Sequence, residues 1–307
     1  MDYTGLVSAF PNNRPLNDFD RLHHLKQKTR LDVPLLAELC VVKMDSSRLV
    51  SVDRWYGSRG FMALVSGLIV LLALGGLYVS VEPLFGDFSD ENTLWGMLVF
   101  GVMAFSGLAG LGSWMAGKEL FRWTYYPIVL DRKHRQVHVF RLDGTILTAP
   151  WDKIYFTLGQ GKGPFGWFNW DIRGLILDAD GVTVRETFSF CISTSEIEGA
   201  RSHWEFLRRY MEEGPQAVWD AVLYCMPIDG KRESFAVSKE RVFANYAQIP
   251  LIYLIMIPFN YLHTIMRWAV MQTSKIPAFP PEIEATLQPE PGDKYVRDAS
   301  MNPEDLR

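Results

Sequence analysis

The chain has 307 residues, a net charge of −4 and 48% hydrophobic residues, enough apolar material for one soluble domain and a few membrane elements. So ordinary a charge excludes the basic signature of a nucleic-acid binder. The three cysteines, Cys40, Cys191 and Cys225, are far apart and odd in number, so neither a disulfide framework nor a CxxC motif can be drawn, and each reads as a small buried hydrophobe.

Residues 1–60 form an N-terminal segment expected to lie in the cytoplasm. The first apolar run begins near Phe61, far beyond the position of a cleavable signal, so this segment should stay attached. From Phe61 to Val81 the chain runs without a charge, and at about 1.5 Å rise per residue it spans a hydrocarbon core of roughly 30 Å. Thr93 to Ala116 repeats the pattern, with Trp95 and Trp114 near its two ends, where indoles favour the headgroup region. Ser106 and Gly110, Ala109 and Ser113, and Gly112 and Ala116 place small residues four apart, and Ser66, Gly67, Gly75 and Gly76 offer the facing surface. Residues 61–116 are therefore expected to form a two-helix transmembrane hairpin.

The connecting loop, residues 82–92, carries Glu82, Asp87, Asp90 and Glu91 and no lysine or arginine. Arg54 and Arg59 precede the first span, while Lys118, Arg122, Arg132, Lys133 and Arg135 follow the second. The positive-inside rule then places both flanks in the cytoplasm and the loop in the periplasm.

Residues 117–248 change to strand periodicity: Ile128 to Leu130, Val137 to Arg141, Thr145 to Leu147 and Ile154 to Leu158, with Asp143-Gly144 as a hairpin turn. Two longer strands, Ile172 to Asp178 and Val182 to Phe190, flank the turn at residues 178–181. Ile197, Ala200, Trp204, Leu207 and Met211 then recur at helical steps, with Glu198, Arg201, Glu205, Arg208 and Glu212 on the opposite face. Gly214-Pro215 ends that helix and begins another. The expected fold class is a membrane α-helical hairpin plus an α+β cytoplasmic domain, an antiparallel sheet capped by helices.

Between the strands, Gly159 to Gly166 invites a phosphate-loop reading, but the spacing to a Gly-Lys-Ser/Thr end is absent and Pro164 removes an amide where the helix should begin. It reads as a flexible inter-strand loop whose Phe165, Trp167, Phe168 and Trp170 form either an exposed contact tip or alternate core positions. Among the histidines only His134 and His138 have metal-like spacing, which suits a helix and not a strand hairpin, so no metal site is expected. Ser189, Cys191 and Ser193 lack a nucleophile elbow or a recognisable base. No enzyme and no cofactor are expected.

Residues 249–271 are strongly apolar from Leu251 to Leu262, then meet Pro258, Asn260, His263 and Arg267. A third span would strand Arg267 and put Lys275 outside, so an interfacial or core-packed helix is the expectation. Residues 272–307, rich in Pro, Glu, Asp and Lys, read as a largely disordered tail.

A two-span hairpin running into Arg132, Arg135, Val137, Gly144 and Pro150-Trp151-Asp152-Lys153-Ile154 resembles bacterial membrane-tethered pleckstrin-homology-like modules over Tyr125 to Tyr210. With the Lys275-Ile276-Pro277-Ala278-Phe279-Pro280 stretch and the acidic tail, the chain is similar to an uncharacterised family of Gram-negative inner-membrane proteins often encoded beside type VI secretion effectors. That resemblance implies an immunity or accessory role, with a cognate protein toxin as partner and membrane lipid as environment. The alternative is a membrane-tethered pleckstrin-homology-like scaffold or regulator of an envelope or secretion complex. The partner surface is expected at Phe165, Trp167, Phe168 and Trp170, with the helix face around Arg201, Glu205 and Arg208 as the next candidate.

Overall fold

The computed structural model describes residues 10–85, 91–162, 168–245 and 250–307. The chain divides into two compact units: unit 1 takes Met1–Gly57, Trp123–Val237 and Ile276–Arg307, and unit 2 takes Ser58–Arg122 and Ser238–Lys275. The fold class is α+β with antiparallel sheets and helices.

Among the described residues, unit 1 holds two antiparallel sheets. The first has the order β1-β9-β8-β7, built from β1 (Arg14–Pro15), β9 (Thr183–Ser189), β8 (Phe168–Leu177) and β7 (Ile154–Lys162). The second runs β2-β3-β4-β5-β6, from β2 (Val41–Met44), β3 (Arg48–Ser51), β4 (Ile128–Asp131), β5 (Gln136–Phe140) and β6 (Ile146–Pro150). Gly144, at φ 87°, makes the β5–β6 turn that an L side chain would strain, and Asp143 Oδ1 accepts from the Thr145 amide at 3.0 Å.

β3 pairs with β4 although 76 residues lie between Ser51 and Ile128, which are register partners. Everything from β3's end to β4's start, including the long apolar helices of unit 2, is an excursion between neighbouring strands.

Helix α4 (Ile197–Glu213) supplies the core with Ala200, Trp204, Leu207 and Met211, as its 3.6-residue periodicity dictates. Trp204 stacks on Trp151 with centroids 5.7 Å apart, and Phe156 lies 4.8 Å from Trp204. Leu49, Ile128, Leu130, Val137 and Val139 join the same cluster from the second sheet.

Strands β3 and β4 are buried on both faces. Leu49 and Leu130 point into the core, whereas Val50 and Val129 line a cleft of about 280 Å³ against Phe279, Glu284 and Leu287. The C-terminal segment, expected to be largely disordered, therefore has an apolar surface to cover. It forms helix α7 (Pro281–Thr286), bridges Met44 to Arg297 through paired amide bonds of 2.8 and 2.7 Å, and caps Cys225 with the Asn302 side chain at 3.0 and 2.6 Å. Its composition is polar, but its few apolar side chains fall where the sheet lacks a second layer.

The N-terminal segment is also part of unit 1 and not a separate piece. It gives β1, β2, β3 and the short helix α1 (Asp18–Leu22), which Asn17 and Asp20 close with a reciprocal capping box. Cys40 and Cys191 are joined as a disulfide with Cα atoms 6.2 Å apart, against the expectation of separate buried thiols; Cys225 is free and buried. After Gly214-Pro215 the chain makes only two single 3-10 turns, Pro215–Ala217 and Trp219–Ala221, in place of the expected second helix.

In unit 2, α2 (Phe61–Val81) packs on α3 (Glu91–Ala116) and on α6 (Pro250–Thr273). The short α5 (Phe235–Ala244) carries the chain into this unit. Both α2 and α3 are long and apolar enough to cross a membrane. Only some of the small residues lie between them: a side chain at Gly76 would meet Phe105, and one at Gly112 would meet Val70, whereas Gly67, Gly75 and Gly110 face open space.

Large apolar side chains point outward on all three helices, Leu71, Leu72 and Tyr78 on α2, Phe100 and Met103 on α3, and Leu254, Ile255 and Ile265 on α6. The polar groups turn inward. Asn260, His263, Thr264 and Arg267 of α6 are buried, as are Arg59, Ser66 and Glu119. Glu119 Oε2 accepts from the amides of Gly60 at 3.1 Å and Ala63 at 2.9 Å, so its carboxylate closes the positive end of α2. Burial pushes the Glu119 carboxyl up, against the pull of Arg59 and of those two amides.

Candidate functional site

Helix α1 spaces Phe19 and His23 one turn apart, so both rings fall on one face with centroids at 4.1 Å. His23 Nδ1 donates to the Phe19 carbonyl at 3.1 Å. That face meets Trp170 of β8, whose ring stacks 6.2 Å from Phe19 and lies 5.5 Å from His23. Trp170 itself is fixed by its backbone, which exchanges bonds of 2.6 and 3.0 Å with Thr194.

Beyond His23 a shallow pocket of about 220 Å³ opens between Leu22, His24, Leu31, Asp32 and Arg201. Leu22 is 80% exposed at its rim. Arg201 is half-buried and pairs with Glu198 at 2.7 Å. The structure thus brings Trp170 and Arg201, candidates from different parts of the sequence, to neighbouring positions around His23.

Next to Trp170, Asp171 is fully buried and holds two guanidinium groups. Its Oδ1 accepts from Arg173 Nε at 2.8 Å, and its Oδ2 accepts from Arg54. Phe10 lies under the Arg173 guanidinium at 4.6 Å. Burial pulls the Arg54 pKa down, Arg173 adds to that, and Asp171 opposes it. The glycines of the supposed loop explain themselves here. A side chain at Gly159 would collide with Arg173 and Asp171, and one at Gly161 would come within 3.2 Å of Arg54. Gly159 to Lys162 is therefore strand, thinned to admit the arginines, and not flexible loop.

Of the other expected contact residues, Phe165 and Trp167 lie outside the described residues, and of Phe168 only its place at the start of β8 is described. Glu205 and Arg208 are not a surface. Glu205 accepts from Arg208 at 2.8 Å through both its oxygens, from Arg209 at 2.7 Å and from the Leu31 amide at 3.1 Å, and both it and Arg208 are buried. The reason is the N-terminal segment. Residues 31–36 run across the polar face of α4, where the Leu36 amide also bonds Ser202, and convert an apparently solvated face into an internal ion network. Burial pushes the Glu205 carboxyl up, but the bonds from Arg208 and Arg209 outweigh it and hold it below its ordinary range.

Glu212, further along the same face, is likewise engaged by Lys28 at 2.6 Å, Arg135 at 2.7 Å and the Trp151 indole at 2.8 Å. His134 and His138 flank one carboxylate, Asp131, at 2.8 and 3.8 Å. Cys191 has a histidine beside it after all: His203 Nε2 lies 3.8 Å from its sulfur. Both are buried.

By sequence pattern Phe10, Phe19, His23 and Arg173 are not site candidates, and Arg54 reads only as a basic flank of the first span. The signal for α1 was present in the Asn17 to Asp20 capping spacing, but nothing in periodicity ties that helix to a strand 150 residues away. Residues 108–291 match the DUF6708 family, a family of unknown function, and the chain belongs to it. No curated protein and no solved structure matches the chain.

Proposed function

We propose that this DUF6708 member is a non-catalytic inner-membrane immunity protein, anchored by the α2–α3 hairpin, that binds a cognate antibacterial toxin with unit 1 on the cytoplasmic side. The observation that carries the topology is the pairing of β3 with β4. The chain that leaves unit 1 after Gly57 re-enters at Trp123 beside the strand it left, so the excursion between them needs an even number of crossings. Two apolar helices with outward Leu71, Leu72, Phe100 and Met103 supply that number, and the basic flanks set the direction. The second excursion, Ser238–Lys275, also begins and ends in unit 1, which supports an interfacial place for α6 over a single span.

The two antiparallel sheets followed by α4 are consistent with the pleckstrin-homology-like reading of this region. An outside loop of about eleven residues is too small for a standard interface of roughly 800 Å² per partner. Recognition therefore falls to unit 1. A half-buried aromatic cluster, Trp170 with Phe19 and His23, flanked by exposed Leu22 and bordered by Arg201, has the aromatic and arginine character of an interface centre. The role as immunity protein rests on the resemblance and on this distribution of surface.

The test is survival. Cells producing the chain should withstand a co-expressed toxin encoded beside it, and the toxin should co-purify with the full chain from solubilised membranes. Trp170→Ala with Leu22→Asp should weaken that capture tenfold for each 1.4 kcal/mol lost, with expression and membrane insertion unchanged. Survival equal to that of unprotected cells would end the immunity reading. Undiminished capture by the double variant would move the recognition surface elsewhere.

A further inference from the structure

Three segments remote in sequence bring ligand-type atoms together in the interior of unit 1. Cys40 precedes β2, Cys191 follows β9, and His203 sits on the second turn of α4; their two sulfurs and one imidazole nitrogen all lie within 4.8 Å of one another. All three residues are buried, His203 completely. The imidazole is oriented for ligation. Its Nδ1 donates to the Leu36 carbonyl at 2.8 Å, so the neutral ring carries its lone pair on Nε2, which faces the Cys191 sulfur at 3.8 Å. This is the arrangement by which a metal-binding histidine is usually held, one ring nitrogen on a backbone carbonyl and the other toward the ion.

The oxidised pair forms a disulfide with Cα atoms 6.2 Å apart; exchange with a cytoplasmic dithiol or glutathione, itself oxidised to a disulfide, returns two thiols, and it is this reduced pair that binds. A cytoplasm keeps such pairs reduced. On the cytoplasmic placement proposed above, we infer that Cys40, Cys191 and His203 form a buried site for a thiophilic d10 cation, with zinc as the representative. Two thiolates and one imidazole satisfy the soft-ligand preference and leave one of the four tetrahedral positions for water. Binding releases the thiol protons and reduces no group, so it needs no redox partner. The ion would tie the N-terminal segment to the end of β9, which the disulfide also joins when oxidised, and would add α4 through His203.

The test uses the full chain, purified in detergent under reducing, anaerobic conditions, with cobalt and then zinc as probes. One cobalt per chain should bind, with thiolate-to-metal charge-transfer absorption and the d–d bands of tetrahedral coordination, and zinc should displace it. Cys191→Ser and His203→Gln should each weaken binding by more than about 100-fold, beyond the 10–100-fold that loss of an outer partner costs. Cys225→Ser should leave it unchanged, since that thiol lies elsewhere in the core. Thiols alkylated in intact cells should show Cys40 and Cys191 protected by metal and released by a chelator.

Folded wild-type chain that takes up no more cobalt than Cys40→Ser/Cys191→Ser would overturn the site. So would a Cys40–Cys191 disulfide at steady state in cells whose residue 300 is inaccessible from outside. The same disulfide with residue 300 accessible from outside would overturn the cytoplasmic placement, and the inference with it.

Discussion

Replacing Glu205 by alanine removes a carboxylate that accepts from Arg208, Arg209 and the Leu31 amide in the interior of unit 1. Arg208, 3% exposed, would keep Glu213 as its one ion partner among the described residues. Breaking a buried pair from one side costs about 3–5 kcal/mol because the remaining charge stays desolvated, and the surviving Glu213 contact puts this case near 3. For a unit of roughly 200 residues each kcal/mol moves the midpoint by about 2–4 °C, so the variant should melt about 6–12 °C lower. Arg201→Ala, which removes an exposed pair with Glu198, should cost under about 1 kcal/mol. Thermal unfolding of the detergent-solubilised chain, followed by tryptophan fluorescence, reads both. If Glu205→Ala melts within 2–3 °C of wild type while binding its partner less well, the carboxylate is a surface contact, and the covering of α4 by residues 31–36 is wrong.

Leu72→Arg, at an outward position 70% exposed on α2, should impair membrane insertion by about 2.5–3.5 kcal/mol, whereas Leu223→Arg, 84% exposed on unit 1, should leave the carbonate-resistant fraction unchanged. Equal behaviour of the two would mean that α2 does not face lipid. Burial pushes the His203 imidazole down to about 4, so between its unfolded value near 6.5 and that folded value the unfolded chain takes a proton that the folded one refuses. Stability should fall with pH through this window, by about 3 kcal/mol at pH 4, and metal-free His203→Gln should show a correspondingly flatter acid limb; parallel profiles would refute the assignment.

The elements of unit 1 between residues 128 and 213 were legible because each carries a local signal. Strand alternation, the Asp143-Gly144 turn and the helical repeat of Trp204, Leu207 and Met211 are all short-range patterns, and the antiparallel α+β class follows from them. What the sequence concealed was long-range closure. Residues 10–57 and 276–307 are too polar and broken to announce a fold, yet they pair with β9, cover β3 and β4, and bury the polar face of α4. The amphipathic pattern of α4 reported one wet face, and a segment 170 residues upstream made it dry. The Cys40, Cys191 and His203 cluster was hidden for the same reason, since no spacing rule connects residues 151 apart. The candidate surface was half visible: Trp170 and Arg201 could be picked by type, but Phe19, His23 and Leu22 reach them only through the fold.

The proposed topology is a hairpin whose two flanks share one side of a membrane. Single cysteines introduced as Ser89→Cys in the connecting loop and Ser300→Cys in the exposed C-terminal segment of unit 1 decide this, with the wild-type chain and its buried native cysteines as the blank. In intact spheroplasts an impermeant maleimide should label position 89 and leave position 300 unlabelled until the membrane is opened. Labelling of position 300 from outside, or protection of position 89, would contradict the account.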